Sequence, residues 1–190
     1  MMFVTTIAVA ALVLAASVHT APTIEKRTAG DFGLAIPGGN FDINYLKTFD
    51  VYYANDGAYL GEIKYQLYSE PLIVSGAGST VGFGNGLTFS SIHSTANGGQ
   101  QAYIVPHQTK PIGFSVPHGT PPAGVRTSGF AFDGSGTLTN NGLNRFYACQ
   151  NAAQAAIHSY QIWWWGAGKP NGVSCKGPIH LKKVDSSVFF

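Results

Sequence analysis

Backbone punctuation constrains this chain more than any other feature. Gly fills 24 of 190 positions and Pro 10, and beyond residue 31 they break the sequence every few residues. The stretches between them are short, apolar or alternating, and rich in aromatic and β-branched side chains, which is strand chemistry. A helical bundle would need long runs of Ala, Leu, Glu and Lys. Disorder would need few aromatics and much charge, whereas this chain is 13% aromatic and 11% charged. The formal net charge of +2 supplies no broad basic footprint, so nucleic acid is not an expected partner.

Strands are expected over residues 50–54, 63–68, 72–74, 81–83, 87–90, 102–105, 113–116, 129–132, 145–149, 160–165 and 179–184. Tight turns are expected at Asn55-Asp56-Gly57, Gly84-Asn85-Gly86, Asp133-Gly134-Ser135-Gly136 and Asn140-Asn141-Gly142, because hairpin turns demand positive φ. Residues 152–158 are Ala-rich and read as a single helical turn or a loop. The five-Pro segment 106–124 reads as an ordered loop. Three apolar-x-apolar pairs each precede a Gly-rich turn and a second apolar strand: Val51/Tyr53, Val81/Phe83 and Phe130/Phe132. The expected fold is a compact single-domain all-β structure, a β-barrel or β-trefoil-like fold with a β-sandwich as the alternative.

Phe3 to Ala16 is an uncharged apolar run too short to span a bilayer, and it fades into small and polar residues. It reads as a secretory signal peptide over residues 1–21. Lys26-Arg27 then marks a dibasic processing point, so residues 22–27 are expected to be a propeptide and 28–190 the mature domain. No second apolar run approaches spanning length, and no membrane partner is expected once the signal is removed. In an oxidising compartment Cys149 and Cys175, the only cysteines, are expected to form one disulfide.

Catalytic motifs are thin. The carboxylates Asp42, Asp50, Asp56, Glu62, Glu70, Asp133 and Asp185 stand outside any suggestive pattern, and a glycosidase-like pair would have to form in space. Asp56 and Asp133 sit in turn signals, where Asp accepts local backbone hydrogen bonds. His93, His107, His118, His158 and His180 are scattered without metal spacing, and a histidine acid/base pair with Arg126 or Arg145 would resemble ribonuclease chemistry. No nucleophile elbow or phosphate loop is present, and no catalytic residue, cofactor or metal is expected.

The least ordinary local feature is Trp163-Trp164-Trp165 after Tyr160-Gln161-Ile162. On a strand, Tyr160, Ile162 and Trp164 face one way while Gln161, Trp163 and Trp165 face the other. Either the strand is buried on both faces, or Trp163 and Trp165 stand out as a surface for stacking on sugar rings.

Residues 130–138 (Phe-Ala-Phe-Asp-Gly-Ser-Gly-Thr-Leu) lead to Arg145-Phe146-Tyr147-Ala148-Cys149-Gln150. Tyr160-Gln161-Ile162-Trp163 follows, then Gly172-Val173-Ser174-Cys175 and Ile179-His180-Leu181. This succession resembles the phiA-like cell wall proteins of filamentous fungi, with a weaker likeness over residues 33–60 and 87–121. Gln150 departs from the family's usual Pro, and an upstream cysteine pair found in many members is missing. The resemblance implies a secreted, cell-wall-associated protein without enzymatic activity, linked to phialide and conidium development or to stress protection. Its implied partners are wall polysaccharide or other wall proteins. A carbohydrate-binding module using Trp163 and Trp165, or an exported effector, is the competing expectation.

Overall fold

The computed structural model describes residues 32–37, 48–61, 70–75, 88–90, 100–115 and 119–185. The expected signal peptide, the Lys26-Arg27 site and the strands at 63–68 and 81–83 lie outside them, as does the turn at 84–86.

The protein is almost entirely β, as its turn density requires, and its main sheet curls into a half-barrel. The first strand, β1 (Phe32–Pro37), is buried along nearly its whole length, so its sequence reads as a continuous apolar run instead of an alternating one. One edge of β1 pairs with β15 (Lys182–Asp185). The other is shared by β2 (Thr48–Ala54), through Ala35↔Asp50, and β5 (Ile73–Ser75), through Phe32↔Val74. Strand β1 therefore crosses the seam between β2 and β5.

β2 turns into β3 (Gly57–Leu60) through Asn55 and Asp56, whose φ of 42° and 56° are those of the anticipated tight hairpin. β4 (Glu70–Pro71) lies on the far side of β2. From β5 the pairing continues to β6 (Thr88–Ser90), β7 (Gln100–Tyr103) and β9 (Gly113–Phe114), and through Gly57↔Gly113 it returns to β3. β9 falls within the strand expected over 113–116, but the rest of the five-Pro segment, expected to be a loop, also carries β8 (Lys110–Pro111), which pairs with β13 (Tyr160–Trp164). Pro is tolerated in β8 because that strand is a two-residue edge. β10 (Phe130–Phe132) and β11 (Leu138–Asn140) form a separate hairpin around the Asp133 turn.

Beyond β3 the sheet extends through β13 to β12 (Phe146–Gln150) and ends at β14 (Ser174–Lys176). Between β12 and β13 lies one helical turn, α1 (Ala152–Ala155). The Asn151 side chain accepts from the Gln154 N–H, and the Gln154 side chain accepts from the Asn151 N–H. The helical signal thus resolves as a single turn, closed by His158 at φ 55°. The strand expected over 179–184 begins only at Lys182, because Ile179 and Leu181 drop into the core. There the Ile179 N–H donates to the Phe146 carbonyl and the Leu181 carbonyl accepts from the Leu138 N–H.

The concave side of the half-barrel holds the core. Leu34, Ile36, Val51, Leu60, Val74, Ile104, Phe146, Ile162 and Trp164 meet there with 2% exposure or less. Phe146 packs edge-on against Trp164, with ring centroids 5.3 Å apart. Burying each such side chain contributes roughly 1.5–3 kcal/mol before chain entropy is subtracted.

Candidate functional site

Alternation along β12 and β13 splits their side chains cleanly. Phe146, Ala148, Tyr160, Ile162 and Trp164 are buried in the core, while Tyr147, Gln161, Trp163 and Trp165 are half-buried on the convex face. The two faces of the Trp run therefore divide as strand geometry dictates. Neither extreme holds for the outer pair: Trp163 and Trp165 are neither sealed nor fully exposed.

Register brings the outer residues into rows. Tyr147 stands opposite Trp163, and Trp163 stands opposite Pro111 on its other side. The ring of Tyr147 lies 4.5 Å from that of Trp165 with the planes tilted by 34°, a stacked pair. Gly177 permits this arrangement. A Cβ there would sit 2.9 Å from the Tyr147 ring, and its φ of 151° disfavours any side chain. A second row runs Tyr52, Tyr59, Gln161, Cys149 and Cys175. The Gln161 amide lies over Gly57, where an added Cβ would stand 3.0 Å from Nε2.

The disulfide Cys149–Cys175 forms as expected, between directly opposed residues of β12 and β14. It clamps the short edge strand beside the aromatic rings. Next to them, Gly166 presses on the backbone of Pro106 and Gln108. The Thr109 hydroxyl donates to the Ala167 carbonyl at 2.9 Å and accepts its N–H at 3.1 Å. Tyr147 was not foreseen as part of this face; the alternation Phe-Tyr-Ala-Cys marks it, but only the pairing of β12 with β13 places it beside both tryptophans. Beyond Trp165, residues 169–174 curl around a shallow open concavity.

A second cluster gathers hydroxyls, a carboxylate and a histidine. Asp133 Oδ1 accepts from the Ser135 hydroxyl at 2.7 Å, the Ser135 N–H at 2.8 Å and the Thr137 N–H at 2.9 Å. Ser135 Oγ lies 2.9 Å from Thr137 Oγ1, which lies 3.4 Å from His180 Nδ1. The Ser135 hydroxyl, the backbone N–H groups of Thr137 and Ser135, and the charge of His180 hold the Asp133 carboxyl below its ordinary range. These contacts do not orient a nucleophile: Ser135 donates to the carboxylate and not to His180, and Thr137 is only 1% exposed. The network fastens the β10–β11 turn to the C-terminal segment, where Lys182 Nζ also donates to the Ser135 carbonyl. Asp133 thus plays the local turn role expected of it.

The other anticipated residues do not converge. Asp42, Glu62, His93 and His118 lie outside the described residues, and the side chains of Glu70 and Asp185 are likewise not described. Asp56 accepts from the Tyr53 hydroxyl at 2.8 Å in the β2–β3 turn, Asp50 is half-buried on β2, and His107 and His158 are exposed in separate loops. Arg126 donates to Asn140 Oδ1 at 3.3 Å, and Arg145 precedes β12. Among the described residues no cluster of three or more His, Cys, Asp or Glu is placed to hold a metal, and no helix is long and apolar enough to cross a membrane. No family model, curated protein or solved structure matches the chain.

Proposed function

We propose that this chain is a secreted, non-enzymatic protein of the fungal cell wall that adheres to wall polymers through the convex face of β12 and β13. The observation that carries the reading is the outward trio of Tyr147, Trp163 and Trp165 on strands held by the Cys149–Cys175 bridge. Aromatic planes fixed on a rigid sheet offer stacking surface at little entropic cost on binding. The resemblance to phiA-like wall proteins and the signal-like N-terminus supply the extracellular setting and a role in conidium development or stress protection.

Co-sedimentation with isolated, protein-stripped fungal wall tests this reading. Retention of the wild type is expected, with a loss of at least about tenfold in Trp163→Ala, equivalent to roughly 1.4 kcal/mol. A wild type that stays in the supernatant, or a Trp163→Ala variant that is retained equally while still folded by circular dichroism, overturns it.

A further inference from the structure

The net charge of +2 conceals a strong segregation. All nine Asp and Glu lie outside residues 134–184, whereas five of the eleven Lys and Arg lie inside: Arg145, Lys169, Lys176, Lys182 and Lys183. Two of these, Arg145 and Lys169, adjoin the outer aromatic face. The Arg145 carbonyl accepts from the Trp165 N–H at 2.8 Å, so Arg145 stands opposite Trp165 at the start of β12. Lys169 lies in the loop leaving β13, whose root is pinned by Gly166 and Thr109. Lys176 on β14 stands opposite core-facing Ala148, so it lies on the other side of the sheet from the aromatic trio. Lys110 on β8 stands opposite core-facing Trp164 and likewise lies on the other side of the sheet. All four residues are exposed. Among the described residues, the first carboxylates met along the sheet from β13 are Asp56, in the turn that opens β3, and Asp50 on β2.

From this segregation and the place of Arg145 beside Trp165 we infer that the convex face of β12 and β13 takes an acidic glycan, a chain of sugar rings bearing carboxylates. The inference rests on the adhesion reading above and adds the sign of the ligand's charge. Tyr147, Trp163 and Trp165 supply planes for the apolar faces of sugar rings. Arg145, beside Trp165, offers the planar fork that pairs two-on-two with a carboxylate. A field of one sign also speeds encounter with a polyanion and weakens as salt rises.

Affinity electrophoresis of the full secreted protein in gels of polygalacturonate, neutral laminarin or duplex DNA tests the inference. Retardation by polygalacturonate is expected, several-fold stronger than by laminarin and lost between about 50 mM and 500 mM NaCl as screening shortens. Arg145→Gln combined with Lys169→Gln, both at exposed positions, should weaken retardation by about tenfold, while Gln101→Glu on β7 should leave it unchanged. Equal, salt-insensitive retardation by laminarin overturns the acidic-glycan assignment and leaves the adhesion reading standing. Retardation by DNA as strong as by polygalacturonate also overturns it, in favour of a bare polyanion surface. Failure with all three polymers together with failure to sediment with wall overturns both.

Discussion

Asp133 and Asp50 are carboxylates of the same intrinsic acidity pushed in opposite directions. Hydrogen bonds from Ser135 and Thr137 favour ionised Asp133, so its folded value lies below 3.8, whereas burial raises that of Asp50. A depressed carboxyl contributes stability that is present above the unfolded value and lost as pH falls through the folded one. A raised carboxyl does the reverse, favouring the fold when protonated and opposing it once ionised. Asp133→Ala is therefore expected to lower Tm at neutral pH, with the difference from wild type shrinking below pH 3.8. Asp50→Asn is expected to raise Tm at neutral pH, and that gain should vanish in the same acid range. Thermal melts of the three proteins from neutral to strongly acid pH check both signs. The role of Asp133 was legible because an Asp followed by Gly-Ser-Gly advertises a turn. Its coupling to His180 was not, since 47 residues separate them and only the bridge between Thr137 and Lys182 brings the C-terminal segment alongside.

At the scale of elements, alternation and turn chemistry carried most of the information. The β2–β3 hairpin follows from Asn-Asp-Gly, and the two faces of β13 follow from its period of two. β1 escaped because a strand buried on both sides shows no alternation, and β8 escaped because Pro suggests a loop until a neighbouring edge is available to pair with it. Pairings between distant strands, such as β13 with β3, leave no local trace, and so the site could not be assembled from sequence beyond its two tryptophans. The Cys149–Cys175 bridge was legible from cysteine count alone. Replacing both cysteines by Ala is expected to cost about 3 kcal/mol in denaturant unfolding, by the chain-entropy treatment of a loop of this size. Gly166→Ala is expected to destabilise by about 1–3 kcal/mol and to loosen the 106–109 loop, because its Cβ would meet the backbone of Gln108 at 2.5 Å and backbone cannot rotate aside. Limited proteolysis of the variant should cleave within that loop.

For the molecule as a whole, net charge proved a poor summary. Carboxylates confined outside residues 134–184 leave one end of the sheet basic even though the total is close to neutral. The same end carries the bridge and the aromatic trio. Export with removal of residues 1–27 predicts a secreted form beginning at Thr28, which intact-mass measurement of culture protein reads directly; a mass retaining residues 22–27 would contradict the propeptide. Adhesion, as proposed above, happens on the convex face of β12 and β13. Amide hydrogen exchange of the protein with and without solubilised wall polysaccharide tests it most directly. The expected result is slowed exchange in peptides covering 145–150 and 160–169, with β1 and β2 unchanged; unchanged exchange throughout, or protection confined to β1 and β2, would contradict it.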